Sequence, residues 1–304
     1  MNIVTLDSVT KRYGGATAVD QLSMSIERGE MFGLIGPDGA GKTTTMRLMC
    51  GLLRADDGRI EVLGTDPVRQ HRRLTRSLGY LSQHFSLYGD LSVDENVAFF
   101  AEIHGVRDYV TRRDRLLEMT QLTPFRGRLA DRLSGGMKQK LALVCTLVHE
   151  PTLIVLDEPT TGVDPISRRE LWKLLSEFLS QGITVILSTP YLDEAERCSR
   201  VALLHDGHLL ALDRPAALRA AAGGGVYEVM VGDFRRGVDV LTRVPGVTSV
   251  HLFGERAHVR VQEPDPVTAD RLTAALVAAG LTVSSLREIA PALEDVFIAR
   301  TNGR

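Results

Sequence analysis

Long hydrophobic runs are missing from this sequence of 304 residues. The longest candidates, TLIVL at 152–156 and LALVCTLV at 141–148, fall well short of the roughly 20 apolar residues that span a bilayer. The opening MNIVTLDSVT has no basic stretch followed by an apolar one, so no signal peptide is expected. Cysteine is scarce. Cys50, Cys145 and Cys198 stand apart with no CxxC spacing, which gives no basis for a disulfide framework or a zinc site and predicts buried free thiols. Nor does charge of one sign dominate: 36 Lys+Arg against 38 Asp+Glu leave a net charge of −2, and no broad basic surface for nucleic acid. Aromatics reach only 5%, yet 44% hydrophobic and 24% charged residues make an ordinary globular composition, long enough for about two domains. Any membrane role must therefore come through a partner.

The first two-thirds read as α/β. MFGLIG at 31–36 is a short apolar run ending in glycine, as a buried strand does, and TTTMRLMCGLL continues with Met46, Met49 and Leu53 on one helical face. LSVDENVAFFAEIHGV and RDRLLEMTQL then follow as amphipathic helices without a strand between them, which predicts an inserted helical lobe at about 84–130. TLIVLDE, RRELWKLLSEFLSQG and ITVILST read strand–helix–strand, the pattern of a parallel sheet with right-handed crossovers. RVALLHDGHLLALD reads as a hairpin turning at Asp206-Gly207. The three glycines of AALRAAAGGG mark a joint, placing a first domain at 1–220, a linker at 221–225 and a second domain at 226–304. In the second, YEVMVG, VDVLTRVPGV, TSVHLF, RAHVRVQ, VTADRLTAALVAAG and TVSSLREI run β-α-β-β-α-β, a small ferredoxin-like α+β fold, with LEDVFIART as a helical tail.

Three clusters carry chemistry. Gly36-Pro37-Asp38-Gly39-Ala40-Gly41-Lys42-Thr43 fits G-x-x-x-x-G-K-[ST] between a predicted strand and a helix, the context a P-loop needs. Its glycines let successive N–H groups turn inward, and with the helix N-terminus, where Thr44 follows, they favour phosphate. Lys42 has the reach for the β- and γ-phosphates and the Thr43 hydroxyl suits Mg²⁺. Asp38 sits awkwardly in such a loop. At ~8 Å and an effective dielectric of ~20 its repulsion of phosphate is about 2 kcal/mol, less in salt, so it is expected to face away as a solvated turn residue. Secondly, Asp157 and Glu158 end the strand TLIVL, at the sheet edge where open α/β sheets bind ligands. Asp157 suits Mg²⁺, and Glu158 suits orienting or deprotonating a water, a role worth roughly 10²–10⁴-fold. Thirdly, Ser134-Gly135-Gly136 opens the helix KLALVCTLVHE, with Leu141, Val144 and Val148 in its apolar stripe. Alone, this reads better as an ordinary serine N-cap than as an anion site.

In this order the clusters resemble the nucleotide-binding subunits of ABC transporters, over roughly 1–220, with LSGGMKQ standing where that family has its signature. The resemblance implies a P-loop ATPase core with an inserted α-helical lobe, ATP and Mg²⁺ as ligands, and a head-to-tail dimer. In that dimer Ser134, Gly135 and Gly136 contact the ATP held by the opposing Lys42. It implies that Tyr13, in KRYGG, stacks on adenine, an offset π contact of ~0.5–1.5 kcal/mol, against the plain reading of a strand-end tyrosine. It also implies that Gln83 senses Mg²⁺ and the γ-phosphate, and that Gly162-Val163-Asp164 crosses the dimer seam, although Asp164 before Pro165 equally reads as a helix cap. STPYLDEAERC and PALEDVFI are similar to ABC-2-type exporters of the drug-resistance kind, in which a C-terminal domain serves dimer contact or regulation. The implied partners are a second ATP-binding subunit, identical or related, and an integral-membrane permease. The chain is thereby placed peripherally at the cytoplasmic face. Phe85, Leu87, Tyr88 and Phe99 are candidates either for permease contact or for packing within the lobe.

One position departs from the family. After ITVILST a histidine is expected to contact the γ-phosphate, and here Pro190 offers neither imidazole nor backbone N–H. With Glu158 intact, hydrolysis is expected to survive, slower or dependent on the partner, with His84 and His205 as surface residues rather than substitutes. The alternatives are a non-transport ABC ATPase, disfavoured by the single cassette and the absent coiled-coil insertion, a regulatory ATP-binding subunit, and an import ATPase.

Overall fold

A computed structural model describes residues 1–83, 87–221 and 223–301. The chain divides into two compact units, 1–214 and 215–304.

The first unit begins with a feature that the apolar runs did not announce. β1 (Asn2–Tyr13) and β2 (Ala16–Glu27) form a long antiparallel hairpin that turns at Gly14-Gly15, with Tyr13 opposite Ala16. The P-loop strand β3 (Met31–Ile35) and helix α1 (Lys42–Met49) follow, then β4 (Asp57–Val62), which pairs antiparallel with β1 to give a sheet of order β2-β1-β4. Burial alternates only over Val4–Asp7 of β1, with Val4 and Leu6 buried and Thr5 and Asp7 exposed, while Ile3-Val4 and Val9-Thr10 are buried in pairs. The register slips at several points, between Leu6 and Val9 for example, and these slips blur the period-two signal in the sequence.

After α2 (His71–Leu74) and β5 (Leu78–Leu81) the chain leaves the sheets for α3 (Val93–Ile103), α4 (Val110–Met119) and α5 (Gly135–Leu147). No strand intervenes among the described residues, as the helical patterning predicted. A capping box starts α3. Ser92 Oγ accepts the Glu95 N–H, and Glu95 Oε2 accepts the Ser92 N–H at 2.7 Å. Buried Asn96 then ties down the preceding loop, donating to the carbonyls of Tyr88, Leu91 and Ser92 and accepting from the Tyr88 N–H. From Lys140 through Val148 every residue of α5 and its end is buried, so α5 is a core helix rather than a one-faced one.

β6 (Leu153–Leu156), α6 (Pro165–Ser180), β7 (Thr184–Thr189), α7 (Leu192–Ala195) and the hairpin β8 (Arg200–His205) with β9 (His208–Asp213) complete the unit. The large sheet has the order β5-β6-β7-β3-β8-β9, parallel except for β9. β3, β6 and β7 are buried along their whole length, as strands covered on both faces must be. The β8–β9 turn has Asp206 at φ 46° and Gly207 at φ 78°, the mirror-image turn that the Asp-Gly pair predicted. One continuous core joins the two sheets through residues such as Val4, Leu22, Phe32, Met46 and Ile186. Fully burying a side chain such as Phe32 contributes about 1.5–3 kcal/mol. Cys50, Cys145 and Cys198 are all buried and free, and burial raises the pKa of each thiol, so they remain protonated.

The second unit starts before the glycines rather than at them. α8 (Pro215–Ala220) belongs to it, and Gly225 already begins β10 (Gly225–Val231). The reason is packing: α8 rests on the last helix of its own unit, while Gly223 and Gly224 merely supply positive φ before the strand. α9 (Phe234–Leu241) lies earlier than the sequence pattern placed it, capped by Asp233 and followed by Pro245-Gly246. β11 (Val247–Phe253), β12 (Arg256–Val261), α10 (Thr268–Ala278), β13 (Val283–Ile289) and α11 (Leu293–Thr301) follow as predicted. The sheet order β11-β12-β10-β13, antiparallel throughout, is that of a ferredoxin-like fold, with its own core around Val229, Leu241, Val259 and Leu276.

Candidate active site

Because β7 lies between β3 and β6, the loops after β3 and β6 flank the end of β7 on the same sheet edge. The P-loop is pinned by backbone contact. A Cβ on Gly36 would lie 2.2 Å from the Leu204 carbonyl oxygen, and one on Gly41 would lie 2.4 Å from that of Ala18. Gly39 and Gly41 take φ of 80° and 96°, which a side chain resists. Gly41 caps α1 without any side-chain hydrogen bond, so no side chain of the cap competes for the first amides of the helix.

Lys42 Nζ donates to the carbonyls of Gly36 at 2.8 Å and Pro37 at 3.0 Å, and lies 3.3 Å from Glu158 Oε1. Both charged side chains are buried, at 4% and 6% exposure, so each offsets the other's desolvation. The other oxygen of Glu158 accepts from Gln83 Nε2 at 2.9 Å and from Thr161 Oγ1 at 3.2 Å. Glu158 sits at φ 49°, an unusual backbone for a residue with a Cβ. Asp157 Oδ1 accepts from Thr43 Oγ1 at 3.1 Å and from Ser188 Oγ at 2.7 Å. Its Oδ2 is buried with no partner, a donor atom left over beside the Thr43 hydroxyl. A hard divalent cation with oxygen ligands fits that pair.

A cavity of about 570 Å³ lies over these groups. Tyr13, Asp38, Gly39, Ala40, Gly41, Lys42, Thr43, Thr44, Gln83 and Glu158 all border it, while Gly36 and Pro37 lie behind it as acceptors for Lys42. Its size suits a nucleotide. Tyr13 is 47% exposed at the end of β1, with Lys11 Nζ 5.6 Å from its ring centre. Asp38 is exposed, as expected, but it borders the cavity instead of pointing clear of it.

Ser134, Gly135 and Gly136 do not border this cavity. Ser134 Oγ accepts the Met137 N–H at 3.4 Å, so it does cap α5. Gly136 is packed: a Cβ there would lie 2.3 Å from Ser167 Oγ on α6, whereas Gly135 faces open space. Asp164 caps α6 by accepting from Ile166 and Ser167 N–H, both at 3.0 Å, and its hydrogen bonds with Ser167 hold its carboxyl below the usual range. Pro190 borders the cavity together with Tyr191, over whose ring the Arg168 guanidinium lies at 4.9 Å. Behind them buried Glu194 accepts from Thr160 Oγ1 at 2.9 Å and Thr189 Oγ1 at 2.7 Å. Ser188 escaped sequence reading because it acts across strands, and Thr161 and Glu194 because their contacts follow no motif of their own.

In the lobe, Leu87 and Phe99 are half-buried and Tyr88 is exposed; Tyr88 and Phe99 meet edge to face at 4.4 Å. Phe85 and His84 lie outside the described residues. His205 is half-buried beside Asp206.

Fold and cavity together define a P-loop nucleotide-binding protein. Residues 19–161 match the ABC transporter family and 214–301 match the C-terminal domain of DrrA1-3-like ATP-binding proteins. The chain is 34% identical over 98% of its length to the daunorubicin resistance ATP-binding protein DrrA3 of Streptomyces coeruleorubidus, covering 95% of that protein. It is 42% identical over 99% of its length to the "Probable multidrug ABC transporter ATP-binding protein YbhF" of Escherichia coli, but spans only 52% of that protein. Among solved structures, a dimeric ATP-binding cassette in a post-hydrolysis state with ADP and Pi aligns at a TM-score of 0.63 and 26% identity, over 69% of this chain and 98% of that one. The chain belongs to the ABC transporter ATP-binding proteins. Among the described residues, no helix is long and apolar enough to cross a membrane.

Proposed function

We propose that this chain is the ATP-hydrolysing subunit of an ABC-2-type export system, and that it works as a head-to-tail dimer beneath a membrane permease at the cytoplasmic face. The observation that carries the reading is the convergence of Lys42, Thr43, Gln83 and Glu158 on one cavity, with Asp157 directly beneath Thr43. Lys42 exchanges the carbonyls of Gly36 and Pro37 for nucleotide phosphate. Thr43 and Asp157 would hold Mg²⁺, which would supply charge neutralisation for the phosphates. Once Lys42 turns to phosphate, Glu158 Oε1 is free to accept a proton from water, while Gln83 keeps hold of the other oxygen. Tyr13 supplies a face for the base. Ser134, Gly135 and Gly136 meet the nucleotide of the opposing subunit, which the open space at Gly135 supports. Leu87, Tyr88 and Phe99 face the permease. The cassette acts as the motor, and the 215–304 unit serves contact or regulation.

Pro190 supports a second, narrower reading, an attenuated motor. It occupies the cavity wall with no donor, so one γ-phosphate contact is lacking. Both readings are tested by ATPase assays on the complex assembled with its permease. Glu158→Gln is expected to lower turnover by about 10²–10⁴-fold while nucleotide still binds. Unchanged turnover would remove Glu158 as the base, and no turnover in the unaltered complex would leave a purely regulatory subunit.

A further inference from the structure

Strand β7 carries no nucleotide motif, yet the sheet order puts it between the two strands that do. Ile35 pairs with Thr189 on one side of β7, and Leu156 pairs with Leu187 on the other. Ser188 therefore sits between the P-loop and the paired carboxylates. It is fully buried. Its one hydroxyl is used in both directions: it donates to Asp157 Oδ1 at 2.7 Å and accepts the Glu158 N–H at 2.9 Å.

From this geometry we propose that Ser188 is a positioning residue for both carboxylates. Rotation of the Asp157 carboxylate is stopped at one oxygen, which Ser188 and Thr43 hold together, so the unpartnered Oδ2 has a fixed place. Glu158 stands at φ 49°, a conformation that a residue with a Cβ resists. The Ser188 oxygen takes up the amide hydrogen of this strained residue. The same hydroxyl thus ties the orientation of the metal-facing carboxylate to the backbone that aims the general base. The inference rests on the Mg-ATP reading of the cavity. Loss of such outer partners typically costs 10–100-fold in metal affinity or activity.

The test uses the full-length chain with a non-hydrolysable ATP analogue, titrated with Mn²⁺ and followed by electron paramagnetic resonance. ATPase assays of the assembled complex run in parallel. Ser188→Ala is expected to weaken Mn²⁺ binding at least tenfold and to lower kcat about tenfold, with KM for ATP and metal-free nucleotide binding within twofold of the unaltered chain. Ser188→Thr, which keeps the hydroxyl, should recover most of the metal affinity. Should the alanine variant fail to fold, Ser188→Cys retains the volume with a weaker donor and acceptor and is expected to lose about threefold. Mn²⁺ affinity within twofold of the unaltered chain in whichever of the alanine and cysteine variants folds overturns the proposal. The Mn²⁺ titration needs no turnover, so it judges Ser188 even if the unaltered complex hydrolyses nothing, a result that would count against the proposed function instead.

Discussion

Two helix starts in the cassette look alike in sequence and differ in the folded chain. α1 is capped by Gly41 after a glycine-containing loop, α5 by Ser134 with Gly135 and Gly136 in its first turn, and each start offers amide hydrogens to an anion. Around α1 the fold supplies everything else: a buried lysine, a hydroxyl, an acidic pair and a cavity wall. Around α5 it supplies a serine cap, one glycine locked against α6 and one glycine open to its surroundings. The first start is half of a site with its chemistry in place. In the proposed head-to-tail dimer the second becomes a site only against the partner subunit.

The comparison breaks most sharply at Gly41. Gly41→Ala forces a Cβ to within 2.4 Å of the Ala18 carbonyl oxygen at φ 96°, so nucleotide affinity is expected to fall at least 100-fold in a fluorescent-nucleotide titration. The two starts are separated further by Ser134→Tyr. A bulky residue there should leave nucleotide loading at Lys42 within about twofold but cut ATP-dependent dimerisation, read by light scattering, and lower turnover about tenfold or more. Normal dimerisation would remove the α5 start from the seam. A gain is expected from Pro190→His. One restored hydrogen bond to phosphate is worth about 1–1.5 kcal/mol, so turnover should rise about tenfold, and an unchanged rate would show that Pro190 limits nothing.

The last effect bears on stability rather than turnover and lies away from both starts, where the lobe meets the core. The ring of His149 stacks on that of His104 at 3.8 Å. Burial, and then the charge of His104, bring the His149 pKa down to about 4 from its ordinary 6.5. The folded state therefore binds fewer protons than the unfolded one between these values, so stability rises with pH through this window. As pH falls from about 6.5 toward 4, folding free energy should drop by about 1 kcal/mol per pH unit. Thermal melts at pH 7 and pH 5 should diverge, and His149→Phe, which keeps the stack, should reduce the divergence.

Much of this was legible in the chain itself. Gly36–Thr43 between an apolar run and a helical face located the P-loop, because phosphate binding needs consecutive backbone amides and so leaves a local imprint. Asp206-Gly207 gave the β8–β9 turn for the same local reason. The glycine-rich stretch misplaced the division between units by a few residues, since flexibility in sequence does not say which core a neighbouring helix will join. The β1–β2 hairpin was hidden by register shifts, and α9 by a cap at Asp233 that the apolar spacing did not signal.

The sequence by itself determined the nucleotide motif, the alternation of strands and helices, and the presence of a second unit after the first, all of which rest on residues adjacent along the chain. Only the tertiary structure decided that β7 lies between the motif strands. It also decided that Ser188 bridges Asp157 and Glu158, that Lys42 rests against Glu158, and that Gly136 is sealed by Ser167 while Gly135 is not. The physical reason is distance along the chain. These contacts join groups tens of residues apart, and sheet order and packing alone bring them within a hydrogen bond's reach.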